Sequence, residues 1–226
     1  MENYFEAGLD ELRQKLLTMA SHAETAVNQA LHALLQRDHD LALQVKENDR
    51  VLDRFEVEID EMVVQLLTKA PLATNLRLVT VAMKISQNLE RIGDEATKIA
   101  KRARDLSQEP PVKLNLDLPR LARMALDMLK AALDAFVNHD SAAARALVPR
   151  DKQVDALNKE IHQALAQYMV ENPDTISRCL HLMVVSKSLE RIADHAKNMA
   201  EDVVYLYEAQ DIRHPGAKAA EKPAAG

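Results

Sequence analysis

The chain has 226 residues, 47% of them apolar and 28% charged, with only 4 Gly and 8 Pro, a balance that excludes a disordered chain and can bury a sizeable core. A formal charge of -6 and a pI near 5.8 exclude nucleic-acid binding through a broad basic face, which needs clustered Lys and Arg. No apolar run approaches the roughly 18–20 residues that span a bilayer, the opening MENYFEAGLDEL is acidic where a signal peptide is basic and then apolar, and Cys179 stands alone, so a cytoplasmic protein with one buried structural thiol is expected.

Residues that lose little rotamer freedom in a helix are abundant, and apolar side chains recur at alternating spacings of 3 and 4. The pattern predicts helices over 5–36, 39–69 and 73–106, after which SQEPP, 107–111, ends the run because consecutive prolines cannot continue a helix. Three more are predicted over 119–138, 141–170 and 173–209, with Pro119, Ser141 and Pro173 at first-turn or N-cap places. Pro149 falls inside the fifth and is expected to kink it or to move its start to about 149. GAKAAEKPAAG has no apolar period and predicts a disordered tail.

The second run repeats the first. Slid back by 100 to 102 residues, Asp151, Asp155, Glu160 and Ile161 fall on Asp49, Asp53, Glu58 and Ile59, and Asp140 falls on Asp38. The segment SLERIADHA, 188–196, falls on NLERIGDEA, 88–96, while Met183 and Ser186 fall on Met83 and Ser86. Each half contributes three antiparallel helices, the smallest number that encloses a core seam. The predicted fold is all-α: two tandem three-helix bundles, six long helices in all, with units over 1–109 and 110–212 and a tail over 213–226.

Helix phase separates two messages in the repeat. Ile85, Leu89, Ile92, Ala96, Ile99, Ala103 and Leu106 form a 4-3-4-3 stripe, matched by Leu182, Val185, Leu189, Ile192, Ala196, Met199, Val203 and Leu206. At about 100° per residue, Glu90 and Asp94 lie roughly 140° and 180° from that stripe, as do Glu190 and Asp194. The preceding helix carries Asp49, Asp53, Glu56 and Asp60 along one flank, and its partner in the second half carries Asp151, Asp155, Asn158 and His162. If that flank lies beside the outer face of the third helix, four carboxylates per bundle converge on a groove, and like-charge crowding of that kind is relieved by a cation. Solvated bundle faces also carry acids beside Lys or Arg, and Arg91 and Arg191 adjoin these, so paired surface charge is the competing reading. Its occurrence twice favours metal. The oxygen donors suit Mg, Mn, Ca or Fe better than Zn. His195, next to Asp194, reads as hydrogen-bonded rather than ligating, and His162 occupies a ligand-like place.

PLATNLR (71–77), LERIGDEATKIA (89–100) and LERIADHAKNMAEDVVYL (189–206) resemble the PhoU family, accessory and regulatory proteins of bacterial phosphate-specific transport, and the resemblance covers about residues 5–212. It implies paired three-helix bundles whose Glu/Asp-x-x-x-Asp motifs bind multinuclear clusters of Fe, Mn or Mg. The metal ligands would be Asp49, Asp53, Glu90 and Asp94 in the first half, and Asp151, Asp155, Glu190 and Asp194 in the second. It also implies negative regulation of the phosphate-starvation response when phosphate is plentiful, through the ATPase subunit of a phosphate ABC transporter and a sensor histidine kinase. Contact with the membrane is then through these partners only, with no nucleic-acid partner. A homodimer is expected because long amphipathic bundles leave spare apolar edge.

Three departures from the family pattern stand out: Asn75 where Asp is usual, Ala193 against Gly93, and Thr97-Lys98 where the second half has Asn198. Lys98, one turn beyond Asp94, is expected to weaken the first site, so the second is expected to bind metal at least as well. Rival readings are a metal-dependent carboxylate-bundle enzyme, a purely structural adaptor and an adaptor of another phosphate carrier. The first is disfavoured because no His is preceded by Glu at the third position before it, as interior di-iron sites require.

Overall fold

The fold is that of a computed structural model, which describes residues 2–68 and 73–213. Among them seven α-helices follow in order: α1 Glu2–Gln36, α2 His39–Leu67, α3 Ala73–Ser107, α4 Leu118–Val137, α5 Ser141–Leu147, α6 Asp151–Glu171 and α7 Ile176–Glu208. Helices α1 to α3 pack on one another, α4 to α7 do the same, and α3 lies against α7. The result is two helical bundles joined along a central helix pair. The expected fifth helix is divided: Val148–Arg150 forms a 3-10 turn between α5 and α6. Pro149 explains the division, since it lacks the N–H of an α-helical bond and crowds the preceding turn. The link between bundles is longer than SQEPP, running on to Asp117 before α4 begins with Pro119 in its first turn. The 69–72 segment, with the start of PLATNLR, and the expected tail beyond Arg213 lie outside the described residues.

The repeat extends to the joints. Arg37 and His139 both adopt left-handed backbone, at φ 56° and 58°. The next N–H in each case returns to the preceding helix, Asp38 to the Ala33 carbonyl and Asp140 to the Ala135 carbonyl, both at 2.9 Å. These are the long hydrogen bonds of a Schellman ending. The same aspartates then cap the following helix: Asp38 Oδ1 accepts from Leu41 N at 2.9 Å and Asp140 Oδ1 from Ala143 N at 2.8 Å. Left-handed backbone costs a non-glycine residue roughly 1–2 kcal/mol. At Arg37 this is offset by its guanidinium, which donates to the carbonyls of Leu106, Ser107 and Glu109 where α3 ends.

Both apolar stripes are buried, Leu182 only partly. A second buried line, Ser86, Gly93 and Ala100, matched by Ser186, Ala193 and Ala200, runs beside them. It faces α2 and α6. A Cβ added to Gly93 would stand 2.2 Å from Leu52 Cδ1 on α2, and Ser186 Oγ donates to Asn158 Oδ1 on α6 at 2.6 Å. Small side chains let α2 and α6 ride close, and this brings their acidic flanks alongside the acids of α3 and α7. The central pair is antiparallel: Lys84 meets Asp202, Asn88 meets His195, Glu95 meets Arg191 and Arg102 meets His181. Among the described residues no helix is long and apolar enough to cross a membrane.

Candidate metal centre

Helices α2 and α3 gather the first set of acids. Asp49 and Asp94 are partly buried and Asp53 is exposed, while the Glu90 side chain is only 20% exposed. Burial raises the Asp49 pKa above the usual aspartate range, Thr97 opposes it by hydrogen bonding the carboxylate, and the charges of Asp53 and Asp94 raise it further. Glu90 is raised by burial, then by Asp94 and Glu56, against the pull of Arg91. Glu56 is raised by burial and by Asp60, with Arg91 opposing and Asp53 and Asp94 adding to the rise. Asp53 and Asp94 are thus within electrostatic reach of Asp49 and also of Glu90 and Glu56, with Asp60 beside Glu56. The nearest counter-charge, Arg91, approaches Glu90 at 3.6 Å. Asp60 Oδ1 is buried with no hydrogen-bond partner.

The second set is organised differently. Lys197 reaches between α6 and α7, its Nζ 2.9 Å from Asp151 Oδ2 and 2.5 Å from Asp194 Oδ1. Burial opposes its charge, but hydrogen bonds to Asp194 and Asp151 outweigh that cost and hold it ionised beyond the usual lysine range. Glu190 is paired with Lys187 at 2.6 Å, and Asp155 is exposed. In the first half the position of Lys197 is Thr97, a neutral donor to Asp49. Lys98 does not contact Asp94; it pairs with Glu95 at 2.8 Å, towards α7. The ammonium expected to compete in the first half is found in the second, at a residue that helix phase alone did not single out. Its signal was in the sequence: Lys197 is three residues beyond Asp194, within reach on a helix face.

The two histidines beside these acids look elsewhere. His162 Nε2 meets the Met183 carbonyl at 3.2 Å, and His195 Nδ1 meets Asn88 Oδ1 at 3.0 Å, with burial lowering its pKa. Cys179 is free and buried, as expected. Among the described residues no three His, Cys, Asp or Glu side chains are drawn together into a finished ligand set. The chemistry of the first half still fits a hard cation. Its donors are all carboxylate oxygens, two of the four candidates carry raised pKa values, and among the described residues no lysine bridges them. In the second half two of the four candidates already share an internal cation.

Comparison with known proteins is consistent throughout. The PhoU domain model matches twice, at residues 16–103 and 118–203. The chain is 41% identical over 216 residues to a phosphate-specific transport system accessory protein PhoU homolog of Pseudomonas putida, covering 95% of this chain and 84% of that one. It is 36% identical over 223 residues to the Escherichia coli K12 accessory protein PhoU, covering 98% and 92%. The crystal structure of PhoU from Pseudomonas aeruginosa aligns with TM-score 0.88 at 39% identity over 91% of this chain and 100% of that one. The phosphate transport system regulatory protein PhoU from Streptococcus pneumoniae aligns with TM-score 0.85 at 26% identity, covering 92% and 99%. With the doubled helical unit, the repeated acids and these relatives in agreement, the chain belongs to the PhoU family, regulators of phosphate homeostasis rather than enzymes.

Proposed function

We propose that the protein is a cytoplasmic adaptor that restrains phosphate uptake and phosphate-starvation signalling when phosphate is plentiful, contacting the ATPase subunit of a phosphate ABC transporter and a sensor histidine kinase, and that it works as a metal-bound homodimer. The observation that carries the metal part is the crowding of Asp53 and Asp94 against Asp49 and Glu90 along α2 and α3, with no bridging lysine among the described residues. Mg, Mn or Fe would neutralise that face and fix α2 against α3. In the second half Asp151, Asp155, Glu190 and Asp194 would accept a metal only once Lys197 swings away, so the first half fills first. This reverses the ranking expected from the sequence, and Lys197 is the reason.

Support for the adaptor part is the family itself. The test is binding of the purified ATPase subunit and of the kinase, measured by calorimetry with and without chelator. Binding weakened about tenfold or more by chelation, and by Glu90→Ala with Asp94→Ala, is the expected result. Undiminished binding under both treatments would make the chain a structural adaptor in which metal is incidental.

A further inference from the structure

The antiparallel crossing of α3 and α7 leaves two clefts along the seam between bundles, and they are repeat partners. Asn88, Arg91, His195 and Asn198 line one, and their repeat partners Ser188, Arg191, Glu95 and Lys98 line the other. The smaller, about 210 Å³, surrounds Glu95. That carboxylate is 3% exposed, and it accepts from Lys98 Nζ at 2.8 Å, from Arg191 Nη1 at 3.3 Å and from the Ser188 hydroxyl. The smaller cleft therefore carries its own anion, held by two cations and a hydroxyl.

The larger cleft, about 510 Å³, keeps the arginine and loses the anion. Arg91 stands for Arg191, Asn198 for Lys98 and Asn88 for Ser188, but the place of Glu95 is taken by His195, a ring engaged with Asn88. The Arg91 side chain is left 66% exposed, with Glu90 at 3.6 Å as its ion-pair contact. Lys84 and Arg213 add two further cations to the lining, the Arg213 guanidinium already donating to the Asp211 carboxylate through Nε and Nη2. Two carboxylates line it as well. Asp202 is paired with Lys84 at 3.0 Å, and Glu56 lies within electrostatic reach of Arg91. Their presence limits affinity without supplying the cross-seam partner that Arg191 has in Glu95.

We propose that the larger cleft binds a phosphate-type oxyanion from solution, with Arg91, Lys84, Arg213 and the Asn198 amide as donors, in the role that the Glu95 carboxylate fills in the smaller cleft. A planar guanidinium with nearby amide and ammonium donors suits a tetrahedral oxyanion. Each cation already has a carboxylate neighbour, Glu90 for Arg91, Asp202 for Lys84 and Asp211 for Arg213, so weak binding, on the order of millimolar, is expected. The volume admits either free orthophosphate or the phosphate group of a small metabolite. The inference goes beyond the metal reading and stands or falls separately.

The test is calorimetric titration of chelator-treated full-length protein, at constant ionic strength, with inorganic phosphate and with glycerol 3-phosphate. Saturable binding is expected, weakened about tenfold or more by Arg91→Gln and changed less than about twofold by Arg191→Gln. His195→Glu restores an internal carboxylate and is expected to abolish binding while the helical circular dichroism and thermal transition persist. Equal or tighter binding of orthophosphate identifies it as the ligand, and an ester that binds at least tenfold tighter identifies a phosphorylated metabolite. No saturable binding of either probe below about 10 mM, equal losses from Arg91→Gln and Arg191→Gln, or undiminished binding by folded His195→Glu would overturn the proposal. Because no metal is present, failure of the metal reading leaves this outcome unaffected.

Discussion

Thr97 and Lys197 occupy the same place in the repeat, yet one leaves a carboxylate cluster open and the other closes it with an ammonium. Lys197→Thr makes the second half resemble the first and strands Asp151, whose side chain is 11% exposed. The metal-free variant is expected to lose about 1–3 kcal/mol, less than a fully buried pair would because Asp194 is 46% exposed. Manganese should restore that loss and raise metal stoichiometry, which thermal denaturation with elemental analysis would reveal; a variant as stable as the parent would remove Lys197 from the account. Gly93→Ala probes the closeness of α2 and α3. Since the new Cβ would stand 2.2 Å from Leu52 Cδ1, either Leu52 or α2 must move. A loss of about 1–3 kcal/mol is expected, as for other overpacked cores, whereas Ala193→Gly in the second half should not enhance metal binding while Lys197 remains.

At the scale of helices, the sequence was legible where one periodicity dominates. The stripes from Ile85 to Leu106 and from Val185 to Leu206 are core, and Pro149 breaks its helix as its chemistry requires. Less legible was the second buried face of α3 and α7. Ser86, Gly93, Ala100 and Glu95 do not extend an apolar stripe, so single-helix phase left them unassigned, and only the packed arrangement shows α2 on one side of α3 and α7 on the other. The acids were legible as outward-facing. Their burial was not, because it comes from neighbouring helices rather than from their own. The paired joints offer an independent test of the repeat: Asp38→Ala and Asp140→Ala each remove an N-cap bond and should each cost about 0.5–2 kcal/mol in urea unfolding. Negligible loss in both would mean that the Schellman bonds alone hold these corners.

Across the whole molecule, the charge pattern couples folding to protons and to metal. Asp49, Glu56 and Glu90 have raised pKa values, so the folded chain holds protons at these sites more tightly than the unfolded chain. Metal-free stability should therefore rise as pH falls from neutral toward the ordinary glutamate value of 4.5. Glu201 and Asp202, also raised by burial, add to this rise, while His195, lowered by burial, opposes it as pH falls below the ordinary histidine value of 6.5; a further opposing group is Glu95. Lys98, Ser188 and Arg191 hold it ionised against burial, so its contribution is present above the ordinary glutamate value and is lost as pH falls through its lowered one. A stability maximum at mildly acidic pH is expected in urea titrations without metal, and stability that only falls on acidification would contradict these assignments. Protons and metal compete for the same oxygens, so stabilisation by metal should shrink over the same range. The most direct test of the central claim is titration of the metal-free parent, Asp94→Ala and Asp194→Ala with manganese by calorimetry. Loss of the tightest binding event in Asp94→Ala, with that event retained in Asp194→Ala, is the expected result; equal loss from both, or loss confined to Asp194→Ala, would contradict it.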